Sequence, residues 1–289
     1  MTLEVGIVNY NAGEYLGQCL GPIVRLPGIS HIYVVDNASR DDSLLQARHK
    51  IQEAQNLEII SNDRNYGYAH AVNQFLNLAR SEYLLILNPD CRVEADALRT
   101  VCAALEAHPD AGMAGCLLLN PDGSEQRGGR RDIPDPANSL RRIFYGKAQA
   151  HRGFDLVNTT LPTQCVEVEA ISGAFMLVRR AALAQVGLMD EGYFLHCEDL
   201  DWCLRFRQAG WKILFVPYAT AVHQQGVSSK SRPLFVLWHK HRGMWRFYRK
   251  FYLAQYSALF NVLVWFGIWA RFSVLIPTVV VSRIRRGRN

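Results

Sequence analysis

Three observations predict an α/β fold: a mainly parallel sheet flanked by helices, with a helical tail outside it. The first 117 residues of this 289-residue chain alternate short apolar runs with amphipathic ones. Four of the apolar runs end in compact polar clusters. All 26 acidic side chains fall within residues 1–201, after which come 15 Lys or Arg and no acid. Strands that are apolar throughout are buried on both faces, which requires helices above and below a parallel sheet.

Taken in order, LEVGIVNY (3–10), HIYVVD (31–36), LEIIS (57–61), YLLILN (83–88) and AGCLLL (114–119) read as buried strands. Residues 41–55, 68–80 and 94–107 between them read as helices. Asn120 to Pro136, rich in Gly, Pro and charge, reads as a long loop. Strands are expected at 165–170 and 173–179, a helix after Glu198, and strands at 212–216 and 219–223. Residues 1–230 then make one domain, with halves at 1–117 and 118–230, and 231–289 a separate helical region.

Seven cysteines with no CxxC pair suit a reducing compartment better than a disulfide scaffold. The N-terminus, MTLEVGIVNYN, has no basic lead before its short apolar run and reads as a first strand rather than a signal peptide. A basic final third implies an anionic partner. Leu253 to Ala270 runs 18 residues without a charge, Arg271 and Pro277 interrupt the apolar sequence beyond it, and the chain ends RIRRGRN. Eighteen residues is near the lower limit for a membrane span, and Arg271 argues against one uninterrupted helix. The preceding WHKHRGMWRFYRKFY interleaves basic and aromatic residues, as at a lipid headgroup interface. A monotopic or re-entrant anchor on an anionic membrane surface is therefore expected, with a buried helical hairpin as the alternative. No nucleic-acid motif is present.

In open α/β sheets ligands gather at the carboxyl ends of the strands. Those ends here read NYN (9–11), DNAS (36–39), NDRNYG (62–67) and NPD (88–90), more polar than four turns require. A nucleotide-type site is expected on this edge. There is no GxGxxG after the first strand and no GxxxxGK[ST], so a diphosphate lacks a glycine cradle. A divalent metal on a strand-end carboxylate would supply the missing counter-charge, and Asp90 is the candidate.

The stretch FLHCEDLDWCLRFRQAGW (194–211) places Glu198, Asp199 and Asp201 within four positions at the start of a helical pattern. The helix dipole favours acids there, and Asp201 can pair with Arg205 one turn on. Capping accounts for one or two acids. A third, at a strand-to-helix junction, is where a general base meets a substrate.

With these residues in hand, the ordered set VNYN, VVDNAS, NDRNYGYAHAVN, LILNPD, ISGAFMLVRR, MDEGYFLHCEDLDWCLRFRQAGW and AVHQQGVS resembles the inverting glycosyltransferases of family 2, which have the GT-A fold. The NPD and CEDLDWCLR forms resemble the rhamnosyltransferase-like enzymes of O-antigen and related bacterial surface polysaccharides. The resemblance implies transfer of a sugar from a nucleotide diphosphate sugar to a hydroxyl of a lipid-linked saccharide. It makes dTDP-L-rhamnose the first donor to consider and places the enzyme at the cytoplasmic face of the inner membrane.

By the same resemblance Asp199 is the catalytic base, with Glu198 its rival and Asp201 serving the acceptor side. Asp90 and His223 hold Mg²⁺ or Mn²⁺. Asn9, Asp36 and Asn37 contact base and ribose, and Asn11, Arg64, Asn65, Gly67 and Asn88 complete the nucleotide-sugar site. Gly173 lets the backbone approach the acceptor, or else marks a strand bulge. No QxxRW follows the base motif, against a processive synthase, and NPD carries one acid where a full DxD has two. A UDP-sugar donor (GlcNAc, galactosyl or galactofuranosyl) and a non-catalytic assembly subunit remain as alternatives.

Overall fold

The structure, a computed structural model, describes residues 2–51, 55–136, 155–224, 226 and 232–286. Its centre is a twisted sheet of nine strands: β1 (Leu3–Asn9), β2 (Ile29–Asp36), β3 (Leu57–Ser61), β4 (Tyr83–Leu87), β5 (Cys91–Val93), β6 (Ala111–Leu119), β8 (Val166–Glu167), β10 (Phe175–Arg179) and β11 (Lys212–His223). The order is β3-β2-β1-β4-β10-β6-β11-β5, with β8 on the other part of β11. β1 to β4 pair in parallel and β6 with β11 likewise, while β10 runs antiparallel between β4 and β6. A strand from the second half of the domain thus sits inside the sheet, so the halves expected at 1–117 and 118–230 share one core. β7 (Arg130–Arg131) and β9 (Ala170–Ile171) form a small second sheet.

Alternating side chains send the two faces of each strand into two cores. On one side Leu3, Val5 and Ile7 pack with Leu16, Leu20 and Ile23 of α1 (Glu14–Ile23) and with Leu98 and Val101 of α4 (Ala95–Glu106). α2 (Ser43–Ile51) lies beside α1. On the other side Val8 and Val35 join Val72 and Phe75 of α3 (Tyr68–Leu78), Ala182 and Leu183 of α5 (Arg180–Val186), and Trp202 and Phe206 of α6 (Glu198–Gln208).

Several boundaries differ from expectation. Helix α1 was not foreseen, because Gly17, Gly21 and Pro22 depress its propensity while its Leu16/Leu20 and Cys19/Ile23 spacing carries the helical signal. Residues 212–216 and 219–223 form one strand whose register shifts between Val216 and Thr220, where Pro217 lacks the ladder donor. The 120–136 loop is anchored by β7 and by a bridge from Leu119 to Glu125.

The tail also departs from expectation. Helix α7 (Pro233–Phe251) buries Phe247 and Tyr248, and Phe247 belongs to the second core. Residues from 233 therefore pack as part of the sheet domain. Helix α8 (Ala258–Arg286) is continuous through Arg271 and Pro277. Arginine opposes burial in lipid, not helicity, and here its exposed side chain runs along α7 toward Met244 Sδ at 3.7 Å.

Candidate active site

The buried floor of the site is a hydrogen-bonded lattice at the ends of β1 and β2. Asn9 Nδ2 reaches Asp36 Oδ1 (2.8 Å), Ser39 Oγ (3.0 Å) and Ser43 Oγ (2.9 Å). Asn9 Oδ1 is buried without a partner. Asn37 is spent inside the protein: Nδ2 donates to Asn65 Oδ1 and Gly67 O, and Oδ1 accepts from Asn62 and Tyr66. These residues fix the strand ends that form one side of the site. Asn11, whose Oδ1 accepts from Arg40 N at 2.7 Å, and Arg64, whose guanidinium sits 4.6 Å over the Tyr66 ring, lie at its open rim.

Beyond β4, Asp90 and His223 meet: Nε2 lies 3.1 Å from Asp90 Oδ1 and 3.3 Å from Asn88 Nδ2. Gln126 sets the imidazole. Its Nε2 donates to His223 O (2.9 Å), so its Oε1, 2.6 Å from His223 Nδ1, must accept a proton from the ring. In the neutral ring Nε2 then presents a lone pair to the Asp90 carboxylate. Two acceptors converging on one point suit a cation between them, and a carboxylate oxygen with an oriented imidazole is a fitting donor set for Mg²⁺ or Mn²⁺. No group of three or more His, Cys, Asp or Glu occurs among the described residues, so substrate oxygens or water would complete the shell.

The acids of α6 stand across a short turn from this pair. Asn88 N donates to Ala174 O (3.0 Å), and the next residue back, Gly173, donates its N–H to Asp199 Oδ2 (3.3 Å). Tyr68 OH donates to Gly173 O (2.8 Å). A Cβ on Gly173 would stand 3.6 Å from that of Asp199, an ordinary contact, and the residue lies in the turn between β9 and β10 rather than in a bulged strand.

Asp199 Oδ1 accepts from Leu200 N (2.8 Å), and Oδ2 takes Arg131 Nη2 at 2.5 Å. Burial pushes this carboxyl up, but Arg131 and the two backbone donors outweigh burial and hold it below its usual range. Glu198 is the opposite case. Burial, and then the neighbouring Asp199 charge, raise it to about 8, and its Oε2 has no partner. At neutral pH the pair therefore holds one proton, on Glu198, and Asp199 is ionised. The Asp199 side chain keeps 15% exposure, so the ionised member is also the accessible one.

Asp201 does not face the acceptor side. It is 0% exposed and bound to Arg205 Nε (2.7 Å), Lys250 Nζ (2.7 Å) and Tyr193 OH (3.1 Å), which ties α6 to α7. The expected pairing with Arg205 is present, and the reason for the third acid is packing.

The loop before α6 is held under strain. His196 and Cys197 both have positive φ, 69° and 71°. Phe194 O accepts from Tyr68 N (2.9 Å), and a Cβ on Gly67 would lie 2.7 Å from that oxygen, so only glycine fits there. From the other side α7 presses Gly243 onto His196 O, where a Cβ would stand 2.8 Å away. Phe194 also meets Phe235 edge to face and His239 at a tilt. Sequence reasoning missed Gln126, Arg131 and Tyr68. The available signal was RGGRR, surplus cations beside glycines in an otherwise acidic region.

A sheet of this order, with a carboxylate–imidazole pair and an acid-bearing helix at its carboxyl edge, defines a nucleotide-sugar transferase of the GT-A kind. The chain belongs to glycosyl transferase family 2, whose model matches residues 4–187. It is 27% identical over 274 residues to N-acetylglucosaminyl-diphospho-decaprenol L-rhamnosyltransferase of Mycobacterium tuberculosis, covering 84% of this chain and 86% of that one. It is 28% identical over 228 residues to rhamnosyltransferase WbbL of Escherichia coli K12, covering 75% and 81%. In fold it is similar to GalNAc-T7 with UDP, GalNAc and Mn²⁺ (TM-score 0.62, 18% identity, 86% of this chain and about half, 48%, of that one). It is likewise similar to mannosyltransferase PcManGT of Pyrobaculum calidifontis with GDP-Man and Mn²⁺ (TM-score 0.59, 15% identity, 99% and 75%). The protein is a rhamnosyltransferase-like glycosyltransferase of polysaccharide synthesis.

Proposed function

We propose that the protein transfers L-rhamnose from dTDP-L-rhamnose, with inversion, to a hydroxyl of a lipid-diphosphate-linked saccharide. The observation that carries this reading is the turn 173–174, which bonds Asn88 on the Asp90–His223 side and Asp199 on the other. A leaving group held by Asp90 and His223, and Asp199 acting as base, would then lie on opposite sides of one small backbone element, the arrangement a single in-line displacement needs. Both rhamnosyltransferase relatives support the donor.

Asp199 accepts the proton of the acceptor hydroxyl. Arg131 keeps it ionised at neutral pH and so makes it a weak base, adequate because the hydroxyl acidifies as it bonds to an oxocarbenium-like carbon. Protonated Glu198 carries the one uncommitted buried oxygen beside it and is poised to donate a hydrogen bond. Asn9 and Asp36 form the floor under base and ribose, and the 62–67 loop closes the pocket. Asp90 and His223 would hold a divalent cation, which when bound offsets charge on the departing diphosphate. The test is a screen of dTDP- and UDP-sugars against a polyprenyl-diphosphate-linked GlcNAc acceptor, with the anomeric configuration of the product read by NMR. Turnover with a UDP-sugar instead of dTDP-rhamnose reassigns the donor, and transfer with retention overturns the mechanism.

We further propose that α8 lies in the plane of the cytoplasmic membrane surface. Its 23 residues Ala258–Val280 have mean hydropathy 1.8, and their apolar stretch is not buried against the protein. Its first half runs antiparallel along α7: Tyr248 meets Asn261, and Trp238 meets Trp269 and Phe272. α7 is docked on the catalytic unit and carries seven Lys, Arg or His, so that half cannot sit in hydrocarbon as a span. The remaining 14 residues, 273–286, reach about 21 Å, short of a bilayer core of about 30 Å. An in-plane helix instead buries the exposed stripe Leu259, Val262, Leu263, Phe266 and Val274.

A further inference from the structure

The outer face of α7 and the turn at Asp190–Gly192 enclose a cleft of about 520 Å³ that the transfer site does not use. Its lining is Arg242, Arg246, Arg249, Lys250, Trp245 and Leu253, with Asp190 as the one acid. Two of the four cations are fixed in place. Arg246 makes a forked contact with Asp190 (2.7 and 3.2 Å), lies directly over Gly192, and faces the Tyr193 ring at 5.3 Å. Lys250 is shared between Asp190 (2.9 Å) and Asp201 (2.7 Å). Arg242 and Arg249 are exposed, with no acidic partner among the described residues. A cleft lined by four cations and one acid retains three positive charges at neutral pH.

From this geometry we infer that the cleft is a second anion site, which takes the diphosphate of the polyprenyl-linked acceptor. Charge matching selects a diphosphate over a singly charged phosphodiester headgroup, because two free guanidiniums and two anchored cations converge on one concavity. Guanidinium forks bind phosphate oxygens in pairs, and a pre-anchored Arg246 loses little freedom on doing so. The location selects a lipid-borne source. Trp245 and Leu253 line the same cleft, and the chain passes from Leu253 directly into the exposed apolar helix α8. The cleft and the acids share one turn of α6: Lys250 grips Asp201 on one side, and Asp199 faces Gly173 on the other. A helix is about 10 Å across, comparable with one sugar linked to a diphosphate. The α6 turn thus acts as a spacer between the held diphosphate and the base. This assignment rests on the proposed lipid-diphosphate acceptor.

The experiment is equilibrium sedimentation of the full-length protein with three sets of vesicles: zwitterionic lipid alone, the same lipid with a polyprenyl diphosphate, and the same lipid with phosphatidylglycerol at equal surface charge. Wild type is expected to bind the diphosphate vesicles at least tenfold more tightly than the phosphatidylglycerol vesicles, and R242A/R249A to lose that difference. These two side chains hold no internal ion pair among the described residues, so the variant should melt like wild type. Should it not fold, R242Q/R249Q takes its place. Equal binding to both charged vesicles, or a preference that survives in the variant, overturns the inference. Inorganic pyrophosphate bound as tightly as the vesicle-borne diphosphate overturns the lipid source. Because the readout is binding, a wrong donor assignment does not affect it.

Discussion

Arg131 binds Asp199 at 2.5 Å while Glu198, the next residue in the chain, keeps a buried oxygen with no partner. Two adjacent carboxyls are thereby driven to opposite protonation states. D199N should lower turnover by about 10² to 10⁴ with little change in donor affinity. E198Q, which preserves a neutral side chain, should cost far less. A dead E198Q beside a nearly normal D199N in steady-state assays would exchange the two roles.

R131K leaves a cation but removes the directed Nη2 contact with Asp199. Asp199 then loses part of what holds it ionised, and its pKa rises. The acidic limb of the turnover profile should move to higher pH by about one unit, and an unmoved limb would detach Arg131 from the base.

Stability should report Glu198 directly. Its pKa in the fold, about 8, lies above the ordinary value of 4.5, so the native state binds the extra proton between those values. Its contribution is present below pH 4.5 and is lost as pH rises toward 8. E198Q should therefore gain on wild type across that window, by at least about 1 kcal/mol at pH 8.5. Urea melts at pH 5 and pH 8.5 check this, and a gap that does not widen with pH refutes it.

The His223 orientation predicts a cost at a residue that touches no substrate. Q126L removes the acceptor for His223 Nδ1 and should weaken Mn²⁺ binding by about 10- to 100-fold, read by calorimetry with a nucleoside diphosphate present. D90N should weaken diphosphate binding in Mn²⁺, and full activity in excess chelator would rule the metal out.

Removing residues 258–289 should release the protein into the soluble fraction even at low salt, whereas high salt alone should not strip full-length protein. Five exposed apolar side chains on α8, at roughly 1.5 to 3 kcal/mol each when fully buried, exceed what ionic contacts supply. A truncated protein that still sediments with vesicles would move the anchor to α7.

The strands, the polar edge and the acid-bearing helix were legible because each is a local pattern. Val5, Ile7 and Leu85 announce a buried sheet wherever they pair. Arg131 and Gln126 were not legible, since their roles depend on where the 120–136 loop folds back, and no local period encodes that. Asp201 shows the converse limit. Its motif position is the same as that of a site residue, and only the meeting with Lys250, 49 residues on, reveals a packing role. Likewise the apolarity of α8 was plain in sequence, but its lie against α7 comes from Trp238 and Trp269, which share no local signal.

Gly243 of α7 touches the backbone of His196, so the point at which this chain can be recombined with a relative is not the end of the sheet domain. A chimera joined near residue 230 would carry a foreign α7 against a strained loop that tolerates no added methyl group. One joined between Tyr252 and Ala258 would exchange only α8, the proposed membrane seat. Interchangeability within the family is thus set a full helix later than the sheet boundary, and a grafted tail that begins after Tyr252 should retarget the enzyme to a different lipid surface without retuning its acids.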